Sequence, residues 1–383
     1  MVAYSYADIN PAMGSYEDMN IEGYEKVIHA TEKSTGLDCY IAIHSTELGP
    51  ALGGARFWKY EKSHDAIEDV LRLAKGMTYK NSLAGLDAGG GKAVINLRDT
   101  EKTPELLEEF GKVIDSLEGK YITAEDVGSE PADMQVISKT TDHVVLADRD
   151  PSPATSLGII RGMEASVNFL RNEMAPGQSL KDLHIAIQGL GHVGITLAEM
   201  LHQKGARLTV ADLNRDKCEL AVEKLDAVIL DTDKILGANC DILAPCALGH
   251  AINKETVEKL KCKILCGAAN NQLSTSMIGY ALKDKGIINA PDFLVNAGGV
   301  IDAYKDFGFI PTDFHVANII DGIYDRTMQC LREARQKNFP TNLVAEMMAE
   351  KRFKDKSGDH EKQLLLKLNR KDEWPGPGVT QGV

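Results

Sequence analysis

One segment restricts this chain more than any other: Gly189-Leu190-Gly191-His192-Val193-Gly194, a Gly-x-Gly-x-x-Gly pattern. Alone the pattern is weak. Its setting strengthens it, because the apolar run His184–Gln188 reads as a strand and Val193–Lys204 reads as a helix. Strand Arg207–Ala211 and helix Arg215–Leu225 continue the alternation, and the apolar runs Ile242–Ala244, Ile264–Cys266 and Phe293–Val295 read as buried strands. Strands alternating with helices predict an α/β unit with a parallel, doubly wound sheet of the Rossmann type. There the glycines permit a tight turn and close backbone approach, so that a pyrophosphate can sit on the free N–H groups of the helix start. Asp212 closes the next strand, 18 residues after Gly194. A carboxylate there accepts hydrogen bonds from an adenosine ribose and repels a 2′-phosphate, which favours NAD over NADP. Arg215 nearby works slightly against that preference. The alternative is a tight strand-to-helix turn that holds no ligand.

The chain has 383 residues, too long for one ordinary compact unit, so two domains are expected. The first half reads as mixed α/β: strand Cys39–His44, a helix opening at Ser63, strand Lys92–Leu97, helix Pro104–Leu117 and strand Gly119–Ala124. Asp148–Pro153, with two prolines, reads as the interdomain connection, followed by helix Thr155–Arg171 and a break at Pro176-Gly177. Helices dominate from Val316 through Arg335 and again through Arg352. The expected division is 1–147 for the first domain, 148–334 for the nucleotide domain, and C-terminal helices over about 335–383.

A formal net charge of -13 argues against nonspecific binding to nucleic acid and against docking on anionic membranes. The first twenty residues carry acids and no apolar core, unlike a signal peptide, and no run approaches the ~20 apolar residues of a membrane span. Seven cysteines with no Cys-x-x-Cys pair read as reduced thiols of a cytoplasmic protein. Cys262 and Cys266 are four apart without a nearby histidine, so no metal site is expected.

Three charged residues invite a chemical reading, and each has a plain alternative. Lys80 follows the helical stripe Ile67–Met77 and could be an ordinary solvated lysine. Lys92 follows Gly89-Gly90-Gly91, a run that lets a ligand approach the backbone or simply forms a flexible turn. Asp126 follows the apolar strand Tyr121–Ala124 and could begin a turn.

Longer motifs change the weighing. Leu48–Arg56 (LGPALGGAR), Gly76–Val94 (GMTYKNSLAGLDAGGGKAV), Tyr121–Gly128 (YITAEDVG), Pro151–Pro153, Ala244–Gly249 (APCALG), Gly267–Leu273 (GAANNQL) and Asn296–Ile301 (NAGGVI) run in order through roughly residues 35–310. The chain strongly resembles the glutamate/leucine/phenylalanine/valine dehydrogenase family, and within it the leucine branch. The resemblance implies two domains around a cleft, with C-terminal helices returning to the first. It implies NAD-dependent, reversible oxidative deamination of a branched-chain L-amino acid to its 2-oxo acid and ammonia, by a homo-oligomer that in the leucine branch is often an octamer.

By motif position, the resemblance makes Lys80 the ligand of the substrate α-carboxylate, Lys92 the general base, and Asp126 its partner in proton transfer. Gly53, Gly54 and Met77 fall beside the substrate. Asn271 orients the nicotinamide, Thr155 touches it, and Ala247, Asn270 and Asn296 belong to the same cofactor set. The chemistry explains these types. Loss of hydride from Cα leaves an iminium, to which water adds before ammonia departs, and both events need a proton acceptor near neutral pH. A free lysine, at about 10.4, is too basic; burial and a nearby cation such as Lys80 would lower it. In the glutamate branch a lysine stands at the position of Leu52 and a serine at that of Ala303. Both are apolar here, so Leu52, Ala124, Val300 and Ala303 are expected to line a small apolar pocket. Two other readings remain: a dehydrogenase preferring phenylalanine or another large apolar amino acid, and a non-catalytic amino-acid or dinucleotide sensor on the same scaffold.

Overall fold

The computed structural model describes residues 15–145, 150–172, 180–247, 249–307 and 312–354. The first residues of the N-terminal stretch, part of the Asp148–Pro153 connection, the Pro176-Gly177 break and the C-terminal tail lie outside the described residues. Two compact units emerge, Met1–Ser82 with Leu86–Arg149, and Leu83–Gly85 with Asp150–Val383.

The first unit contains β1 (Ser15–Asp18), β2 (Lys26–Glu32), β3 (Leu37–Ser45), β4 (Ala51–Leu52), β5 (Ala55–Trp58), α1 (Ser63–Ala84), β6 (Gly89–Asn96), α2 (Pro104–Asp115), β7 (Tyr121–Ile122) and α3 (Pro131–Ile137). The seven strands form one mixed sheet in the order β1-β2-β3-β6-β4-β7, with β5 also paired to β6. The pairs β1–β2, β2–β3 and β3–β6 are antiparallel, while β4 and β5 pair with β6, and β7 with β4, in parallel. Successive side chains on a strand point to opposite faces. Cys39, Ile41 and Ile43 of β3 and Ala93 and Ile95 of β6 therefore share a core with Leu106 and Phe110 of α2 and Met134 of α3. Tyr40, Ala42 and Val94 pack instead with Ala66, Ile67, Val70 and Ala74 of α1. Lys92 has the parity of Val94, and Arg56 on β5 pairs with Val94 in register.

Gly89-Gly90-Gly91 is neither a flexible turn nor a ligand loop. All three are residues of β6, squeezed by their neighbours. A Cβ on Gly90 would stand 2.0 Å from the Thr78 backbone nitrogen, and one on Gly89 2.0 Å from the Ser45 carbonyl oxygen. The run lets α1 and the β3–β4 segment close directly on the strand that carries Lys92.

The second unit contains α4 (Ser152–Arg171), β8 (His184–Gln188), α5 (His192–Gln203), β9 (Arg207–Ala211), α6 (Arg215–Leu225), β10 (Val228–Ile229), β11 (Ile242–Pro245), α7 (Thr256–Lys259), β12 (Ile264–Leu265), α8 (Ile278–Asp284), β13 (Ile288–Asn289), α9 (Asp292–Val295), α10 (Gly298–Tyr304), α11 (Asp313–Lys337) and α12 (Thr341–Lys354). Its sheet is wholly parallel, in the order β10-β9-β8-β11-β12-β13. Within the unit this is strand order 3-2-1-4-5-6, whose direction reverses between β8 and β11. Helix α11 packs along α4, and α12 packs on α8 and β13.

Phe293–Val295, expected as a strand, belongs to the short helix α9 behind an extended Pro291. A three-residue apolar run has no period to separate strand from helix. The sixth strand is β13, whose Ile288 and Asn289 register with Ile264 and Leu265. Among the described residues, no helix is long and apolar enough to cross a membrane. The seven cysteines are free thiols, all but Cys246 buried.

Candidate active site

The first cluster lies on the α1 face of the mixed sheet. Lys92 Nζ is 2.8 Å from Asp126 Oδ1, and its side chain is only 4% exposed. Asp126 is held from several directions. Its backbone N–H donates to Ser129 Oγ at 2.9 Å, and Ser129 Oγ reaches back to the carbonyl oxygens of Asp126 and Ala55. Its second carboxylate oxygen accepts from Arg56 Nε at 3.0 Å. Burial alone would favour the neutral acid, but Lys92 and Arg56 outweigh it and hold Asp126 at about 2. For Lys92, burial pushes the pKa down and Arg56 adds to that, while Asp126 pulls it back. The net effect lies below the ordinary lysine value. Arg56 thus supplies a cationic influence on Lys92 that sequence reasoning did not name.

Gly53 and Gly54 fit where no side chain would. A Cβ on Gly53 would stand 1.8 Å from the Gly91 carbonyl oxygen and 3.2 Å from Met77 Cγ, and one on Gly54 would stand 2.9 Å from Asp126 Cβ. The buried Tyr121 hydroxyl donates to the Gly53 carbonyl at 2.7 Å. Leu52 is buried in β4, paired with Gly90 and Ile122. Lys80 lies on α1 one turn beyond Met77, half-buried, and Ala124 is half-buried where its carbonyl accepts from the Ala55 N–H at 2.8 Å. The structure therefore gathers Lys92, Asp126, Gly53, Gly54 and Met77 around one strand crossing.

The second cluster lies at the carboxyl ends of the parallel strands. Gly189 ends β8 with φ +97°, a left-handed value that favours glycine. A Cβ there would meet Ala247 at 2.9–3.0 Å, and a Cβ on Gly194 would stand 2.1 Å from the Gly189 carbonyl oxygen. Gly191 is different: nothing lies within 4 Å of a Cβ built on it. It is the N-cap of α5, and no side chain caps that end. An open cradle in front of uncapped N–H groups fits a pyrophosphate. Asp212 Oδ2 accepts from the Leu190 N–H at 2.6 Å and Oδ1 from the Asn214 N–H at 2.8 Å. Each oxygen keeps a lone pair for a ribose hydroxyl. His192 and Val193 open α5.

Around the same strand ends, Asn296 Nδ2 donates to the Ala268 carbonyl at 3.0 Å and to Asn270 Oδ1 at 2.9 Å. Asn271 adopts φ +50° and gives its N–H to Asp292 Oδ2 at 2.7 Å. Thr155 lies in the first turn of α4, where its hydroxyl donates to the Pro151 carbonyl at 3.0 Å and comes within 2.7 Å of where a Gly299 Cβ would stand. Val300 and Ala303 follow on α10, both half-buried. Gly189 and Ala247 thus meet where β8 and β11 end, Asn270 and Asn296 bond to each other, and Thr155 stands beside Gly299.

Known proteins bear on both clusters. A family model described as "Glu/Leu/Phe/Val dehydrogenase, dimerisation domain" matches residues 22–143, and one described as "Glutamate/Leucine/Phenylalanine/Valine dehydrogenase" matches residues 209–354. The leucine dehydrogenase of Thermoactinomyces intermedius is 42% identical over 349 residues, 89% of this chain and 94% of that protein. The valine dehydrogenase of Streptomyces albus is 41% identical, over 86% of this chain and 92% of that protein. The crystal structure of L-tryptophan dehydrogenase from Nostoc punctiforme superposes with a TM-score of 0.77 at 36% identity, covering 89% of this chain and 97% of that one.

The chain belongs to the glutamate/leucine/phenylalanine/valine dehydrogenase family.

For a member of this family, the nucleotide-binding fold and the uncapped glycine turn are consistent with a nicotinamide cofactor. Sequence reasoning missed Arg56. Arg56 sits inside a quoted motif, but nothing in its one-dimensional setting separates it from a surface arginine. Only the β5–β6 register, which sequence reasoning did not have, places Arg56 and Lys92 on the same face.

Proposed function

We propose that this protein catalyses the NAD-dependent, reversible oxidative deamination of branched-chain L-amino acids, leucine foremost. The observation that carries the reading is the buried Lys92–Asp126 pair at 2.8 Å, with Lys92 below and Asp126 well below their ordinary values. NAD, when bound, accepts the hydride from the substrate Cα. Lys80 holds the α-carboxylate. Lys92 removes a proton from the water that adds to the substrate carbon and returns it as the amine leaves. Asp126 steadies the ammonium-like states and keeps Lys92 aimed. Asn271 and Thr155 orient the nicotinamide, with Ala247, Asn270 and Asn296 lining that part of the cofactor site. Asp212 selects NAD by repelling a 2′-phosphate.

Toward the substrate side chain, the first unit offers the apolar Leu52 and Ala124, and the second unit's Val300 and Ala303 are apolar as well. A second carboxylate buried there without a partner would cost about 2–7 kcal/mol or more, which excludes glutamate. The match to a dimerisation-domain model supports a homo-oligomer, for which we propose an octamer, and free cysteines suit the cytoplasm. The small Ala303 and the likeness to a tryptophan dehydrogenase favour, as a second reading, a preference for large apolar side chains. Formation of NADH or NADPH, followed by absorbance over leucine, isoleucine, valine, phenylalanine, tryptophan and glutamate, tests the assignment. Turnover with leucine, isoleucine and valine on NAD is expected. Good activity on glutamate, or a preference for NADP, would overturn the pocket or the Asp212 argument respectively, and an aromatic preference would select the second reading.

A further inference from the structure

The Lys92–Asp126 pair is the end of a longer row of charges. Asp126 Oδ2 accepts from Arg56 Nε at 3.0 Å, and Arg56 Nη1 donates to Asp69 Oδ2 at 2.8 Å. Asp69 Oδ2 also accepts from the Tyr60 hydroxyl at 2.6 Å, and Asp69 Oδ1 accepts from Arg72 Nη2 at 2.6 Å. Arg56 and Asp69 are 20% and 14% exposed, whereas Arg72 opens to solvent at 42%. Parity sets this up. Arg56 on β5 and Lys92 on β6 point to the same face of the sheet, the face that α1 covers with Asp69 and Arg72 one turn apart.

We infer that Arg56, clamped by Asp69, is a positioning residue that lets Asp126 hold Lys92 without fixing the proton on it. A lone Lys–Asp pair would do the opposite, because the carboxylate stabilises the ammonium and weakens the base. Arg56 places a second, fixed cation on the same carboxylate, 3.0 Å from Asp126 Oδ2, and its charge opposes an ammonium on Lys92; Asp69, on the far side of Arg56, works the other way more weakly. Arg56 also takes one carboxylate oxygen of Asp126 through a fixed guanidinium N–H and leaves the other on Lys92, so it sets the direction in which Lys92 faces its substrate. Two phenols also interact with the row, Tyr60 through Asp69 and Tyr121 through Asp126; burial holds both above their ordinary value, so they stay neutral.

This inference rests on Lys92 being the base, and the test separates the two. Arg56→Met, Arg56→Lys and Lys92→Ala are made in the full chain, each checked by thermal melting. For each, kcat and KM for leucine and the pH profile of kcat/KM are measured. In Arg56→Met the acid limb of the profile should move to higher pH, with about a tenfold loss at neutral pH for each unit moved and recovery of activity in alkali. Arg56→Lys restores the charge but cannot bridge Asp126 and Asp69 together, so its limb should lie between wild type and Arg56→Met, with kcat reduced more than KM is raised. If Arg56→Met does not fold, Arg56→Lys decides alone: a wild-type limb with wild-type kcat overturns the inference. An unmoved limb in a folded Arg56→Met overturns it as well. Near-wild-type turnover in Lys92→Ala would instead remove the base assignment on which it stands.

Discussion

At Lys92 the first unit buries a row of charged side chains, each held by the next, whereas at Gly189–Gly194 the second unit offers mainly backbone. The difference follows from the task. A proton acceptor must change charge during turnover, so its surroundings must be balanced side chain by side chain, and Asp126, Arg56 and Asp69 do this at 2.8–3.0 Å. A pyrophosphate is only held, so uncapped N–H groups and room for its oxygens suffice. Damage in the first region should therefore appear in rate and pH dependence. Damage in the second should appear in cofactor affinity, and in stability only where glycine is needed for the chain's own packing.

The sharpest break would come from Lys92→Ala. Turnover should fall by ~10²–10⁴-fold, the usual contribution of a general acid–base group. NAD affinity, followed by fluorescence titration, should stay near wild type, because Lys92 belongs to the first unit. The variant should also fold, since Asp126 keeps Arg56. A large loss of NAD affinity would mean that the two regions are not separable in the way described.

Next in size is a contrast inside the glycine turn. Gly194→Ala drives a Cβ to 2.1 Å from the Gly189 carbonyl oxygen, so backbone must shift, at about 1–3 kcal/mol. Both Tm and cofactor affinity should drop. Gly191→Ala meets nothing within 4 Å and keeps an ordinary φ of -66°, so its stability should stay within about 0.5 kcal/mol of wild type and its Tm close to it. Its methyl nevertheless intrudes on the cradle, and the KM for NAD should rise. Calorimetry beside a cofactor titration checks both variants. Equal losses of Tm would show that the cradle is ordinary packing space.

The smallest effect is expected from Asp212→Ser, where one side chain complements the backbone site. Removing the carboxylate should weaken NAD and relax discrimination against NADP by roughly tenfold, about 1.4 kcal/mol. The ratio of kcat/KM on the two cofactors measures it. An unchanged ratio would return Asp212 to a structural part, holding the Leu190 and Asn214 N–H groups.

Much of the second unit was legible in the sequence because its signals are local. A strand, a glycine turn and a helix follow one another without interruption, so β8, β9 and α6 have the bounds that apolar period and glycine placement predict. Phe293–Val295 failed for the same reason in reverse, since three apolar residues carry no period, and the strand pairing with β12 proved to be Ile288-Asn289. In the first unit the motif positions of Lys92 and Asp126 could be read off, but what stands beside them could not. Gly89–Gly91 looked like a loop in one dimension and is strand, because Thr78, Ser45 and Tyr121 press on the backbone where side chains would be. Arg56, Asp69 and Lys92 lie on β5, α1 and β6, separated by up to 36 positions, and each is unremarkable in its own window. Sequence alone determined the residue types and much of the alternation of elements in the second unit. Only the tertiary structure decided which charges meet, because charge balance in a buried site depends on distances of about 3 Å between segments that no local pattern connects.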